Sequence, residues 1–323
     1  MTDNHECELS VVIPVFNEVD NIAELRSEVA AALDSLTSSW EIIIVDDGSN
    51  DGTWSLIENE HRADKRVRGL RLACNFGHQF ALLAGMRHAG GRAVITMDGD
   101  FQHPPALITA MVQYWHDGCG IVQARRKGNP AAPFLKRLSS RWFYALFSLL
   151  SGARMEPGLA DFRLLDRRCL KRILQFGESG LFWRGIVQLT GFKSCLIDYD
   201  APARRHGRSK YSLLKMTNLA WTAITSFSII PLRLAVIIGG LTSLMAFGEL
   251  LYVLYVRLFT NAAVPGWASA LSVISFLFGV LFILLGIVGE YVGRILVEVR
   301  GRPRYILSEA LGLDEVSDRE QVS

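Results

Sequence analysis

The first hundred residues alternate short apolar runs with longer amphipathic stretches. Leu9-Ser10-Val11-Val12-Ile13-Pro14 reads as a buried strand, and Asn21 to Leu36 carries apolar positions at helical spacing. Glu41-Ile42-Ile43-Ile44-Val45-Asp46 is a second strand, rich in β-branched residues. A helix from about Thr53, a strand over Val67 to Leu72, a helix from about Phe80 and a strand over Ala93 to Met97 follow. This alternation predicts an α/β fold, a parallel sheet with helices on both faces. Ligands of such sheets sit at the carboxyl ends of the strands.

The last third reads differently. Leu234 to Val256 is about 23 residues interrupted only by Glu249, and Ala268 to Gly289 is about 22 residues without a charge. Each is long enough to cross ~30 Å of hydrocarbon. Arg233 precedes the first stretch; Arg294, Arg300, Arg302 and Arg304 follow the second. The positive-inside rule places both flanks in the cytoplasm and the link outside. Glu249 is expected near the outer interface, where a charge costs less. The predicted organisation is a cytoplasmic catalytic domain over 1–230, two transmembrane helices within 231–293 (about 234–256 and 268–290), and a cytoplasmic tail over 294–323 that is expected to be loosely held beyond Ile306. Phe134 to Leu150 and Ser209 to Ile230 mix basic and aromatic residues, as amphipathic helices at a membrane surface do.

Composition narrows the function. Half of the 323 residues are hydrophobic, and the net charge is only +2, which gives no sign of nucleic-acid binding. The five cysteines are scattered and form no CxxC pair. That argues against a disulfide framework and a zinc site, and for a reduced, cytosolic catalytic part. The polar, acidic start of the chain does not read as a signal peptide.

The strand ends carry the chemistry. The first strand runs into Pro14-Val15-Phe16-Asn17-Glu18 and the second into Asp46-Asp47-Gly48-Ser49. The strand ending near Met97 runs into Asp98-Gly99-Asp100-Phe101-Gln102-His103. Carboxylates gathered on one edge need a cation or donor groups to compensate them. A divalent metal carrying a phosphorylated ligand does so, and oxygen ligands select Mg²⁺ or Mn²⁺. Asp98 and Asp100, two apart along an extended strand, are the expected metal anchor, with Gln102 adding a neutral oxygen. Gly99 between them is expected to let a diphosphate approach the backbone.

These motifs, with Asp161-Phe162-Arg163-Leu164-Leu165-Asp166 and Arg204-Arg205-His206-Gly207-Arg208-Ser209-Lys210-Tyr211 further on, resemble family 2 glycosyltransferases. More narrowly the chain resembles polyprenyl-phosphate glycosyltransferases, similar to dolichyl-phosphate mannose synthase and bacterial undecaprenyl-phosphate glucosyltransferases. The resemblance runs from about Leu9 to about Arg302. It implies a GT-A fold and inverting transfer from a nucleotide-sugar to a lipid-linked phosphate at the inner membrane, by a homo-oligomer, with a tetramer suggested. Pro14, Asn17 and Glu18 would line the base and ribose pocket, with Asp46 and Asp47 beside them. Asp98, Asp100 and Gln102 would hold the metal and donor diphosphate. Asp161 would stand at the reaction centre, with Asp100 the other catalytic carboxylate. Arg204, Ser209 and Lys210 would contact the acceptor phosphate. Arg125, Arg126, Arg137 and Arg163 are further cations for it, since Arg suits phosphate. Asn75-Phe76-Gly77-His78-Gln79 matches a family element only loosely, and His78 is left outside the site. Trp183 and Arg184 match part of a processive-synthase motif, but Leu181 stands where that motif has Gln.

UDP-glucose is the expected donor, on the bacterial-style two-span tail; GDP-mannose or a modified sugar is the alternative. A lipid hydroxyl is the alternative acceptor and would need a true base, with Asp161 the candidate. A non-catalytic membrane adaptor would tolerate losses among the carboxylates, and Asp46, Asp47, Asp98, Asp100 and Asp161 all stand. Two spans are too few for a transporter unless many copies assemble.

Overall fold

The computed structural model describes residues 7–127, 158–175, 187, 190–200, 202, 230–259 and 266–313. They form two compact units, one holding the described residues up to 202 together with 302–313, the other 230–301.

The first unit begins β1 (Leu9–Val15), α1 (Ile22–Asp34), β2 (Trp40–Asp46), α2 (Thr53–Ala63), β3 (Val67–Leu72), α3 (His78–His88) and β4 (Ala93–Thr96). It continues α4 (Leu107–His116), β5 (Ile121–Arg126), β6 (Leu159–Asp166), α5 (Arg167–Ile173) and β7 (Ser194–Tyr199). The second unit contributes α6 (Ile230–Phe259) and α7 (Trp267–Val299), after which the chain returns to the first as β8 (Leu307–Leu311).

The strands among the described residues form one sheet in the order β7-β5-β6-β4-β1-β2-β3-β8. β4, β1, β2 and β3 are parallel, as the alternation predicts. The flanks differ: β6 runs antiparallel to both β4 and β5, and β8 antiparallel to β3. Hydrophobic pattern marks a strand but carries no direction.

The central strands are buried on both faces, and successive residues point opposite ways. Val11, Ile13, Ile42, Ile44 and Ile95 pack against Leu25, Val29 and Leu33 of α1, Ile57 of α2, and Ile108 and Met111 of α4. Val12, Ile43, Val45, Leu70 and Val94 pack against Leu82, Leu83 and Met86 of α3 and Leu170 and Ile173 of α5. Helices on both faces are therefore as expected.

Two expectations are corrected here. Leu307–Leu311, within the stretch expected to be loosely held, form β8 and extend the sheet, pairing Gly69 with Leu311 and Leu70 with Ala310. The cysteines are not all free either. Cys119 and Cys195 are joined by a disulfide, with Cα atoms 6.1 Å apart, because β5 and β7 pair side by side. That proximity comes from strand order and is invisible in cysteine spacing.

In the second unit Gly239 of α6 lies against Leu284 of α7. A groove of about 380 Å³ lies between Thr242, Met245 and Glu249 of α6 and Val273 and Phe276 of α7. The helices run longer than the apolar stretches, and each holds a 27-residue candidate span, Ile230–Val256 and Val273–Val299. Apolar side chains such as Phe247 and Phe282 stand exposed along both, which is how a helix meant for lipid looks.

α3 sits close to the sheet because of one glycine. A Cβ on Gly85 would overlap the side chains of Val12 and Val45. Gly85→Ala is therefore expected to lower stability by about 1–3 kcal/mol through overpacking, read as a lower unfolding midpoint in detergent.

Candidate active site

The carboxyl ends of β1, β2 and β4 and the amino end of the antiparallel β6 bring the predicted residues to one edge of the sheet. The loops after β1 and β2 are tied together first. Asn17, with φ of 55°, donates its N–H to Ser49 Oγ (2.8 Å) and accepts from Asn50 N at its Oδ1 (3.0 Å). Glu18 N donates to Thr53 Oγ1 (3.2 Å), and Glu18 Oε2 accepts from Asn21 Nδ2. Pro14 lies within β1, paired with Val45.

Asp46 and Asp47 are both buried, and both shape loops. Asp46 Oδ1 accepts from Ser49 N at 2.9 Å. Its Oδ2 accepts no hydrogen bond, and the nearest cation is Arg71, with Nε 3.7 Å away. Arg71 is held in turn by Glu309 of β8 at 2.7 Å, and Glu309 accepts from Trp54 Nε1 at 3.1 Å. Asp47 uses both oxygens on the β3–α3 loop, accepting from Phe76 N (2.8 Å) and Gly77 N (2.9 Å). Burial pushes the Asp47 carboxyl above its usual range, against the pull of those two N–H groups. Gly48 lets that loop close in, since a Cβ there would meet the Cys74 carbonyl carbon at 2.6 Å.

The Asp98–Gln102 segment is a turn. β4 ends at Thr96, so the strand alternation expected to align Asp98 with Asp100 does not operate. Within the turn Phe101 stands at φ of 61° and is buried. Gly99 has a packing role. Its missing Cβ would lie 3.0 Å from Val15 Cγ1, so the glycine seats the turn on β1. Asp100 Oδ1 accepts from Gln102 N at 3.1 Å, and Gln102 Oε1 accepts from Arg126 Nη1 at 3.4 Å.

His103 braces the turn from below. It is buried, stacked on Phe162 at 5.1 Å, and its Nδ1 accepts from Asp98 N at 2.9 Å. Burial pushes its pKa down despite the pull of Asp98, Asp100 and Asp161. The ring is thus neutral with its proton on Nε2, 3.6 Å from Asp98 Oδ2.

Asp161, on β6, completes the edge. Thr96 Oγ1 donates to its backbone oxygen at 2.6 Å, and Gln79 Nε2 to its Oδ2 at 3.3 Å. Arg163, two residues on along the same strand, lies 2.6 Å from Asp161 Oδ1. Arg163 is 3% exposed, so its place beside an incoming acceptor phosphate is not an open one. Arg125 and Arg126 point opposite ways along β5. Arg126 stays by Gln102, whereas Arg125 pairs with Asp198 at 2.6 Å. Arg137, Arg204, Ser209 and Lys210 lie outside the described residues, as do Trp183, Arg184 and the two expected amphipathic helices.

Four participants escaped sequence reasoning: His78, Gln79, His103 and Arg71. His78 Nε2 lies 3.3 Å from Asp98 Oδ1 and 3.9 Å from Asp161 Oδ2. The signal was position, since Asn75 to Gln79 follows a strand end just as the acidic motifs do.

Fit to a metal can be judged from the donor set. Among the described residues no three His, Cys, Asp or Glu side chains converge as a cage. Asp98 Oδ1 is buried and accepts no hydrogen bond. One or two hard carboxylates with room for ligand phosphates are what Mg²⁺ or Mn²⁺ takes.

A doubly covered α/β sheet whose strand ends gather carboxylates at one edge is the arrangement of a nucleotide-sugar transferase of GT-A type. The family model for glycosyl transferase family 2 matches residues 10–183. YkcC of Bacillus subtilis, an uncharacterized glycosyltransferase, is 37% identical over 306 residues, covering 94% of each chain. A prophage-derived bactoprenol glucosyl transferase of Shigella flexneri is 36% identical over 302 residues, covering 94% of this chain and 98% of that one. The chain belongs to glycosyl transferase family 2. Among solved structures it is similar to a mannosyltransferase of Pyrobaculum calidifontis in complex with GDP-Man and Mn²⁺, at 16% identity, 88% coverage of both chains and a TM-score of 0.43.

The two bonds from Asp47 carry a measurable share of this edge. Asp47→Ala leaves two N–H groups without their acceptor and is expected to cost about 2–4 kcal/mol. Asp47→Asn keeps one acceptor oxygen and should lose less. Urea unfolding of both variants checks the order.

Proposed function

We propose that this chain transfers glucose from UDP-glucose to a polyprenyl phosphate, with inversion, at the cytoplasmic face of the membrane. The observation that carries the reading is the Asp98–Asp100 turn opening beside Asp161 on the neighbouring strand β6. Relatives named bactoprenol glucosyl transferase, aligned over nearly the whole chain, favour glucose and a polyprenyl carrier.

The residues divide the work. Asn17, Glu18, Ser49 and Asn50 shape the pocket for base and ribose, with Asp46 and Asp47 beneath as loop supports. Asp98 and Asp100, with Gln102 beside them, would hold Mg²⁺ or Mn²⁺, which when bound supplies positive charge to the departing diphosphate. A phosphate monoester acceptor is already anionic near neutral pH, its second pKa being about 6. Its oxygen bonds to the anomeric carbon, the bond from that carbon to the diphosphate breaks, and UDP leaves with the electron pair. Arg126, with the arginines and lysine outside the described residues, is assigned to anion neutralisation.

α6 and α7 form the membrane anchor. β8 follows α7 in the chain, yet shares a sheet with strands that precede α6. This supports a reading in which both flanks of the hairpin lie on one side of the bilayer, and Arg233, Arg300, Arg302 and Arg304 favour the cytoplasm as that side. The Cys119–Cys195 pair then faces a reducing thiol pool. Self-association through the lipid-facing helices belongs to the same reading.

The decisive assay offers labelled UDP-glucose and GDP-mannose to undecaprenyl phosphate in detergent with Mg²⁺ or Mn²⁺. Lipid-linked glucose is expected from UDP-glucose alone, abolished by EDTA and restored by either cation. Asp100→Ala should lower the rate by about a hundredfold or more. A well-folded sample that binds UDP yet glucosylates no polyprenyl phosphate refutes the proposal.

A further inference from the structure

His78 stands in a position that several other residues serve. Asp47, a buried carboxylate, holds the N–H groups of Phe76 and Gly77, the two residues before it. Gly48 admits the loop, and Gly85 lets α3, which His78 begins, settle onto β1 and β2. Gln79, its neighbour, bonds Asp161. The His78 side chain itself remains 41% exposed. A surface ring on a loop fixed this firmly is held for something outside the fold.

Its surroundings say what. On one side is Asp98, whose Oδ1 is buried without a hydrogen bond; on the other is Asp161, already engaged by Arg163 and Gln79. Nε2 therefore bridges the carboxylate of the donor side and the carboxylate of the reaction centre, at 3.3 and 3.9 Å. An imidazole N–H open to solvent between two fixed carboxylates suits an anion that arrives with its own counter-ion.

On the reading of the site proposed above, we propose that His78 donates an Nε2–H hydrogen bond to a phosphate oxygen in the reaction centre. It thereby forms a third functional group with Asp98 and Asp161. The oxygen belongs to the donor diphosphate or to the acceptor phosphate, which share this chemistry.

Calorimetric titration of the full-length protein in detergent tests it, with UDP plus Mg²⁺ in one arm and farnesyl phosphate in the other. His78→Ala is expected to weaken one arm about tenfold or more, the loss of a hydrogen bond to a charged group. Loss in the UDP arm identifies the donor phosphate; loss in the farnesyl phosphate arm identifies the acceptor. His78→Gln keeps an N–H near the Nε2 position and should restore binding to within about threefold. Both arms unchanged in His78→Ala overturns the inference, and so does a loss that His78→Gln fails to restore at an unaltered unfolding midpoint. Wild-type protein that binds as expected but transfers no glucose sinks the functional reading and leaves this one standing. Wild-type protein that binds neither ligand overturns both.

Discussion

Burial of the central strands on both faces constrains everything polar in this domain. β1, β2 and β4 have no solvent face, so charged groups can stand only at their ends. The two ends resolve this differently. At the amino end Glu41 is buried, accepts from Ser10 Oγ (2.5 Å) and Gly90 N (2.6 Å), and lies 3.0 Å from Arg68. At the carboxyl end Asp46, Asp47, Asp98, Asp100 and Asp161 gather, and oxygens of Asp46 and Asp98 are buried without a hydrogen bond. Buried acceptors left unmet are costly. Glu41 Oε2 at the amino end also accepts no hydrogen bond but has the Arg68 guanidinium 3.0 Å away. Asp46 Oδ2 has Arg71 at 3.7 Å and Asp98 Oδ1 faces the imidazole of His78 at 3.3 Å, so it is the carboxyl end that keeps negative charge for a ligand to meet.

The central sheet was legible because each strand carries its own apolar run and each helix its own period. The acidic motifs were legible because they follow those runs directly. What was illegible depends on pairing between distant segments. β8 reads as a weak strand, with Ser308, Glu309 and Ala310 exposed; it exists because β3 offers an edge. The Cys119–Cys195 link depends on β5 lying beside β7. Arg125 and Arg126 look equivalent in sequence, and strand alternation alone sends one to Asp198 and the other to Gln102. Gly99 was read for a ligand because it sits between two aspartates, and its packing against Val15 was not legible.

β8 also changes what the apolar helix pair is. Because the chain re-enters the sheet after α7, α6 and α7 are an insertion between strands of one sheet. The returning strand reaches the site through side chains: Glu309 holds Arg71, Arg71 faces Asp46, Asp46 fixes Ser49, and Ser49 accepts from Asn17. The Arg71–Glu309 contact is half exposed and by itself contributes little. Its importance lies in Asp46, a fully buried carboxylate whose second oxygen has Arg71 as its nearest cation. Losing β8 would leave that charge uncompensated beneath the donor loops.

The state of Asp161 bears on the acceptor. A hydroxyl acceptor needs a carboxylate free to take its proton. Asp161 has one oxygen against the Arg163 guanidinium at 2.6 Å and the other accepting from Gln79. Arg163 is buried, so removing the negative charge from Asp161 would take away a carboxylate that lies 2.6 Å from an interior cation. Each catalytic cycle of a base would pass through that state. A fixed carboxylate that orients the sugar and its attacker never has to pass through it. The Asp161–Arg163 pair therefore fits an acceptor that arrives already ionised, as a phosphate does, and fits a lipid hydroxyl poorly.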